Sequence, residues 1–421
     1  MGPGSKNQTT SLGATSEATG GGPLSGVRVF DLSQVIAGPH CTTILADLGA
    51  EVLKIERPDG GDDLRTVGRY KGREGHEDYF YANNRSKKSI CLNLKDDHDR
   101  EVAHSLVARA DVVVENFAPG TVDRLGVGWK DLSPANPQLV YCSISGFGQE
   151  GPYRSRLALD PVVQAVTGVM SVIGTADSEP LMIGAPLADV ISGIYSANFI
   201  LAALYEVQAG GTGRYIDVSL QDAMLSALGP RMGEALQGGV NPGRFGNQNP
   251  MRVPADTYKT ADGKFIAIIV QNERFWEPFC RVVKREEFIA DERYKTQALR
   301  VLHRDELNPV LEEVFASKTA AEWCPILEAE RIPFAMVNTY LEALVDPQVK
   351  HRGTVRELDH PESGKIRVVG SPGIMTGSAA PQFAPPLLNQ HAQEVLREWL
   401  EWSDTEIQEF CAAQTYSRRR N

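Results

Sequence analysis

Val27-Arg-Val-Phe-Asp-Leu32 and Glu51-Val-Leu-Lys-Ile-Glu56 are short, mostly apolar runs on either side of a helical pattern. That pattern opens at Gly38-Pro39, carries Ile44, Leu45 and Leu48 on one side, and stops at Gly49. A strand, a helix and a second strand in so short a span predict a βαβ unit over residues 23–56, which requires parallel pairing. A second unit follows. Asp96 and Asp97 are placed to cap a helix carrying Val102, Leu106, Val107 and Ala110, and Asp111-Val-Val-Val-Glu115 reads as a strand. Leu139-Val-Tyr-Cys-Ser-Ile144 is a third. Strands apolar along their whole length, alternating with helices, predict an α/β fold with a parallel sheet covered on both faces.

Beyond this point the pattern becomes helical. Ile191–Ala209 is the clearest helix, Tyr215–Ser219 reads as a strand and Leu220–Leu228 as a helix. Gly238–Pro250 is rich in Gly, Asn and Pro and reads as a loop or linker. The composition then resets: Asp262-Gly263 turns into a strand at Phe265–Val270, and helices run to about residue 347, which predicts a separate central domain. Ile366–Val369 is a late strand, and Ala392–Cys411 reads as one amphipathic helix. The expected organisation is therefore 1–22 as a tail, 23–240 as the first part of a large domain, 241–350 as a small domain with its linker, and 351–421 as a return segment. Met1-Gly-Pro-Gly-Ser5 reads as an added leader, and the whole Gly/Ser/Thr-rich tail is expected to be disordered.

Charge and cysteine usage exclude several classes. A net charge of −11 over 421 residues argues against a nucleic-acid binder or a protein of anionic membranes, so an anionic ligand would need a local basic pocket. Six cysteines without a C-x-x-C pair fit free thiols in a reducing compartment, and a cytoplasmic location is expected. The most apolar stretch, Ile194–Val207, reads as a core helix. The eight histidines form neither H-x-x-x-H nor H-E-x-x-H, so no metal site is expected, and no G-x-S-x-G elbow supports a serine hydrolase.

Gly146-Phe-Gly148-Gln-Glu-Gly151 matches G-x-G-x-x-G, but it follows a late strand, opens no apolar helix and leads to no acid-terminated strand, which counts against a dinucleotide site. More informative is a scatter of basic and amide residues near predicted strand ends: Arg57, the run Asn83-Asn84-Arg85-Ser86-Lys87-Lys88, Asn116, Phe117 and Arg124. Carboxyl ends of parallel strands are where ligands bind, so these residues would suit a phosphate-bearing ligand, or else form a solvated basic face. Asp160 stands between Leu157-Ala-Leu159 and Pro161-Val-Val163. A carboxylate in that apolar setting either caps the following helix or serves as a poorly hydrated nucleophile, and the two roles are compatible. For Asp189, in Pro186-Leu-Ala-Asp189, a place at a helix start is the simpler reading.

Taken together these motifs resemble the class III CoA-transferases, the group of formyl-CoA transferase and the carnitine and bile-acid CoA-transferases. The residues that carry the likeness are Val29-Phe-Asp-Leu-Ser-Gln34-Val-Ile-Ala37-Gly38-Pro39, Ala46-Asp-Leu-Gly49-Ala50-Glu-Val-Leu-Lys54-Ile-Glu56-Arg57-Pro58, Val114-Glu-Asn116-Phe117-Ala-Pro-Gly120, and Gly151-Pro-Tyr with Asp160. The resemblance spans about residues 23 to 412. It implies a Rossmann-like large domain built from both chain ends, a smaller central α+β domain and an interlocked homodimer. It implies that Asp160 attacks an acyl-CoA thioester, with no permanently bound cofactor, and that CoA passes to a small carboxylic acid. Gln34, Val35 and Ala37 would line the pantetheine channel. Arg57, Lys87 and Arg124 would meet phosphates or adenine, with Asn84, Asn116 and Phe117 nearby. Gly246, Asn247 and Gln248 would belong to a mobile lid.

Gln34 occupies a position often held by His in formyl-CoA transferases, which points away from formate, and the likeness is greatest to members dependent on succinyl-CoA. The related racemases carry Gly-His-Asp where this chain has Leu159 before Asp160, so racemisation is the alternative with the weaker claim. A CoA-binding protein without activity is the remaining one.

Overall fold

A computed structural model describes residues 21–67, 77–375 and 382–418, with the side chains of 414–418 excepted. The tail expected over 1–22 lies outside the described residues except for Gly21 and Gly22.

The chain divides into two compact units: 1–163, 185–228 and 353–421 form one, and 164–184 with 229–352 form the other. The first unit holds β1 (Arg28–Asp31), α1 (Ala37–Asp47), β2 (Glu51–Glu56), α2 (Asp78–Asn84), β3 (Lys87–Cys91), α3 (Asp97–Val107), β4 (Val112–Glu115) and β5 (Val140–Ser145). Next come α4 (Asp160–Val166), which starts in this unit, α5 (Leu187–Gln208), β6 (Tyr215–Ser219) and α6 (Leu220–Leu228). Its six strands form one parallel sheet in the order β3-β2-β1-β4-β5-β6. This order reverses its direction of winding between β1 and β4, the switch point at which such sheets take ligands beyond their carboxyl ends. Strands β4 and β5 are buried along their whole length, in keeping with their unbroken apolar character.

Strand β3 and helix α2 are not what the polar run 83–88 leads one to expect. Lys87 and Lys88 open a strand instead of following one, so they stand at the amino edge of the sheet, with Lys87 paired in register with Val52. A strand with two lysines and a serine is stable here because acids meet each polar group. Lys88 bonds Glu51 on β2 and Glu394 and Glu398 on the C-terminal helix, and Ser89 Oγ donates to Glu56.

The C-terminal segment completes the core of this unit: Val395, Leu396, Trp399, Ile407 and Phe410 pack with Leu106, Val113 and Tyr141. The single helix expected over Ala392–Cys411 is in fact two, Ala392–Leu400 and Asp404–Arg418. Glu401 turns left-handed at φ 58°, and Ser403 and Glu406 exchange backbone and side-chain bonds in a new capping box. The hairpin of Val355–His360 and Gly364–Val369 lays Ile366 and Val368 on Phe80 and Tyr81 of α2.

The second unit has an antiparallel sheet of β7 (Ala255–Lys259), β8 (Phe265–Ile269) and β9 (Phe334–Met336) in that order. Its helices pack Phe279, Leu311, Phe315, Trp323 and Leu327 around Tyr258 and Ile266.

Candidate active site

The site is built first from the loop after β1. Val35 has φ 67°, a region that costs a β-branched residue, and two clamps hold it there. From the end of β4, Asn116 accepts the Gln34 N–H through Oδ1 at 2.8 Å and donates through Nδ2 to the Gln34 carbonyl at 2.7 Å. From the other side Asp62 accepts the Val35 N–H at 3.2 Å. Gln34, Val35, Ala37, Asn116 and Phe117 thus converge at the switch point of the sheet.

Beneath the loop lies a buried network of ions. Asp31 Oδ2 takes Thr42 Oγ1 at 2.6 Å and Lys87 Nζ at 3.2 Å, and Lys54 Nζ reaches Asp62 at 2.9 Å and the Ser33 carbonyl at 2.8 Å. Burial alone would raise the Asp31 carboxyl; Lys87 and Lys54 outweigh it and hold the group below its usual range. Burial likewise pulls Lys87 down to about 8 against the attraction of Asp31. Lys87 also donates to the Pro39 carbonyl and to Asn84 Oδ1, both at 3.0 Å. Its ammonium is enclosed, so Lys87 and Asn84 brace the loop and α1 from inside and present nothing to a phosphate. The same correction holds for Arg85, paired with Asp47, and for Lys88 with its three glutamates. Of the five expected cations, Arg57 and Arg124 are the ones left with exposed side chains, Arg57 paired with Asp63 beyond the end of β2. Arg124 has a companion that sequence reasoning did not single out: a Cβ built on Gly120 would lie 3.4 Å from Arg154 Nη2 and 3.6 Å from Arg124 Nη1.

Asp160 opens α4 and is 6% exposed, whereas Leu157 and Leu159 before it are 85% and 71% exposed. The apolar neighbours therefore do not bury it. Its place is set by Gly146 at the end of β5, where a Cβ would come within 2.2 Å of Ala158 Cβ, so only glycine lets the segment lie this close. The carboxylate caps a helix distant from it in sequence. Oδ2 accepts the N–H of Ala188 at 2.7 Å and of Asp189 at 3.4 Å, in the first turn of the 22-residue helix α5. Unpaired amides and the positive end of the helix dipole favour an anion there. Asp189 sits beside it, and burial first, then the charge of Asp160, push its carboxyl up to about 7.

Helix α5 ties the two halves of the site together. It is long and apolar enough by length and composition to cross a membrane, yet Ala188, Ser192, Gly193, Ser196, Ala197 and Ile200 form a buried stripe along it. A Cβ on Gly193 would lie 2.7 Å from the Ala37 carbonyl and 3.2 Å from Cys41 N. Gly193 follows Asp189 by one turn, about 6 Å along the axis. The capped carboxylate and the loop of Gln34–Ala37 are therefore neighbours along one helix. Glu115, at the end of β4, is buried and pushed up to about 7 by that burial, although Ser143 and the Phe117 N–H partly offset it.

Residues 24–392 match the model of CoA-transferase family III. The chain belongs to that family. Human succinyl-CoA:glutarate CoA-transferase is 36% identical over 93% of this chain and 89% of its own length. Acetyl-CoA:oxalate CoA-transferase of Acetobacter aceti is 36% identical over 91% and 98%. A crystal structure of a CaiB/BaiF family protein from Brucella suis superposes with a TM-score of 0.81 at 34% identity, covering 90% of this chain and all of that one. The protein is a CoA-transferase. In the second unit of the transferase, Gly246 N–H donates to the Gly174 carbonyl at 2.8 Å, Asn247 Nδ2 to Thr257 Oγ1 at 2.7 Å, and Gln248 Oε1 accepts from Arg304 at 3.1 Å.

Proposed function

We propose that the enzyme moves CoA from a succinyl-CoA-like donor to a dicarboxylate by loading Asp160 covalently. The observation that carries this reading is a buried carboxylate held by two helix-terminal N–H groups, with exposed leucines before it. A carboxylate oxygen of Asp160 bonds to the thioester carbonyl carbon. The C–S bond breaks and sulfur leaves with the pair as CoA thiolate, which gives a mixed anhydride. The thiolate then attacks the Asp160 carbonyl carbon, expels the donor acid as its carboxylate, and leaves an aspartyl-CoA thioester. An acceptor carboxylate reverses the sequence. Every species keeps an activated acyl group, so ATP has no place in the scheme. The N–H groups of Ala188 and Asp189 are suited to steady the oxyanion that forms on Asp160 when its own carbonyl carbon is attacked.

Gln34, Val35 and Ala37 are assigned to the pantetheine arm, Asn116 and Phe117 to the nucleotide, and Arg57 and Arg124 to its phosphates. Gly246, Asn247 and Gln248 are assigned to a lid. A dicarboxylate acceptor is favoured because the named relatives act on glutarate and oxalate. The anhydride needs water kept away. Leu157 and Leu159, together with Phe199 and Tyr205 on α5, are apolar and exposed, and we assign a second copy of the chain, interlocked with the first, to cover them. Six free thiols fit a cytoplasmic setting.

The test is incubation with succinyl-CoA followed by intact-mass measurement and peptide mapping after hydroxylamine. The expected result is CoA mass on the protein and a hydroxamate at Asp160, both absent in Asp160→Asn. Full CoA exchange by Asp160→Ala would overturn the reading, and exchange of the donor's alpha proton with deuterated water in its place would favour a racemase.

A further inference from the structure

Asp160 and Asp189 share one helix terminus. The Asp189 N–H and its neighbour Ala188 N–H both donate to Asp160 Oδ2, so the Asp160 carboxylate, arriving from α4, meets the turn of α5 that carries Asp189, and both acids draw on the same field. Two anions in that enclosure repel, and one dipole end, equivalent to about half a charge, cannot satisfy both.

On α1, His40 and Cys41 face Gly193; burial holds the imidazole below its usual value and the thiol well above its own, so both are uncharged near neutrality. Cys142 on β5 bonds Ser196 of α5 and is pushed up to about 12 by burial. Asp217 on β6 is raised by burial and by the charge of Asp222 on α6, against the Gln149 N–H bond. The charge that acts on Asp189 is that of Asp160, and together with burial it lifts the Asp189 carboxyl to about 7.

The proposed reaction removes that charge, since both the anhydride and the thioester of Asp160 are neutral. We infer that Asp189 is a positioning residue that compensates for the loading of Asp160: it holds a proton while Asp160 is an anion and releases it when Asp160 becomes an acyl derivative. The helix terminus then keeps one negative charge through the cycle. The balance is simple. Conversion of free enzyme and acyl-CoA into aspartyl-CoA and donor carboxylate neither takes up nor frees a proton at Asp160. Any proton that appears comes from a coupled group, passing from the Asp189 carboxyl to solvent while its oxygen keeps the electron pair. No bond to Asp189 is made. This inference rests on the covalent reading of Asp160.

The experiment mixes the enzyme with excess succinyl-CoA in dilute buffer containing a pH indicator, with adduct scored by intact mass in parallel samples. The wild type is expected to release about half a proton per loaded site at pH 7 and none at pH 9. Asp189→Asn is expected to load more slowly and to lose that release. Glu115 titrates in the same range, and the difference between the two proteins removes its contribution. Loading of the wild type without proton release would overturn the inference, as would equal release by Asp189→Asn. If Asp189→Asn does not fold, Glu115→Gln takes its place: proton release that persists in that variant belongs to Asp189, and release lost with it would overturn the inference. Absence of any CoA adduct in the wild type would instead defeat the covalent reading, an outcome the mass measurement separates from the other two.

Discussion

Asn116 pairs with both backbone groups of Gln34, side chain against main chain, across the point where the sheet reverses its winding. The amide behaves as one residue of a missing strand and fixes Val35 in a conformation it would not hold alone. Asn116→Ala leaves the Gln34 N–H and carbonyl to find water and frees the loop. The expected result is a loss of about 1–3 kcal/mol in unfolding stability by denaturant titration. The KM for acyl-CoA should rise more than kcat falls, because the loop is assigned to binding. Asn116→Asp keeps one acceptor but no donor, and should fall between the two.

Asp160 carries two separable roles, capping α5 and the proposed attack. Asp160→Asn keeps an oxygen for the Ala188 N–H, so thermal stability should stay close to that of the wild type while transferase activity is lost. Asp160→Ala removes the cap as well, with an expected further cost of about 1 kcal/mol. Activity and Tm measured on both variants check this. An Asn variant as unstable as the Ala variant would mean that charge, and not the hydrogen bond, holds the helix end.

The sequence made the parallel sheet legible because β1, β2, β4 and β5 are apolar enough to be read without partners. Strand β3 was not legible, since Lys87, Lys88 and Ser89 become strand residues only when Asp31, Glu51 and Glu56 arrive from elsewhere in the chain. Asp160 was legible as a residue, but for a reason the structure replaces: exposed Leu157 and Leu159 do not bury it, and a helix that begins 27 residues further on does. No local pattern announces such a contact. Gly193 and Arg154 were missed for the same cause, a role that exists only against Ala37 or Gly120. The break at Glu401 was readable, because Ser403-Asp-Thr-Glu406 is a capping box within an otherwise regular amphipathic pattern.

Gly193 is the contact through which α5 meets the start of α1. A Cβ would stand 2.7 Å from the Ala37 carbonyl, closer than packed atoms allow, and neither helix backbone can yield cheaply. Gly193→Val is expected to destabilise the protein by about 1–3 kcal/mol. It should also raise the KM for acyl-CoA by displacing the Gln34–Ala37 loop from Asp160. Calorimetry with initial-rate kinetics tests both. A destabilised variant with unchanged KM would show that α1 moves without carrying the loop.

Glu115 makes stability depend on pH with a predictable sign. Burial raises its carboxyl from the ordinary 4.5 to about 7 in the folded protein. The folded state therefore binds more protons than the unfolded chain between those values, and stability falls as pH rises through that window. The full contribution is present below about pH 4.5 and gone above about pH 7, and its size is on the order of 3 kcal/mol. Asp189 adds to the fall with the same sign, because its carboxyl is raised too. Asp31 and Glu56 act oppositely: buried cations hold both below their usual range, so their contribution is present at neutral pH and lost only in stronger acid. Glu115→Gln keeps an oxygen for the Phe117 N–H and removes the buried charge. It should raise Tm at pH 8 and change it little at pH 5, with denaturation scans at both values as the measurement. Equal gains at the two pH values would assign the effect to packing and leave Glu115 without a role in the pH dependence.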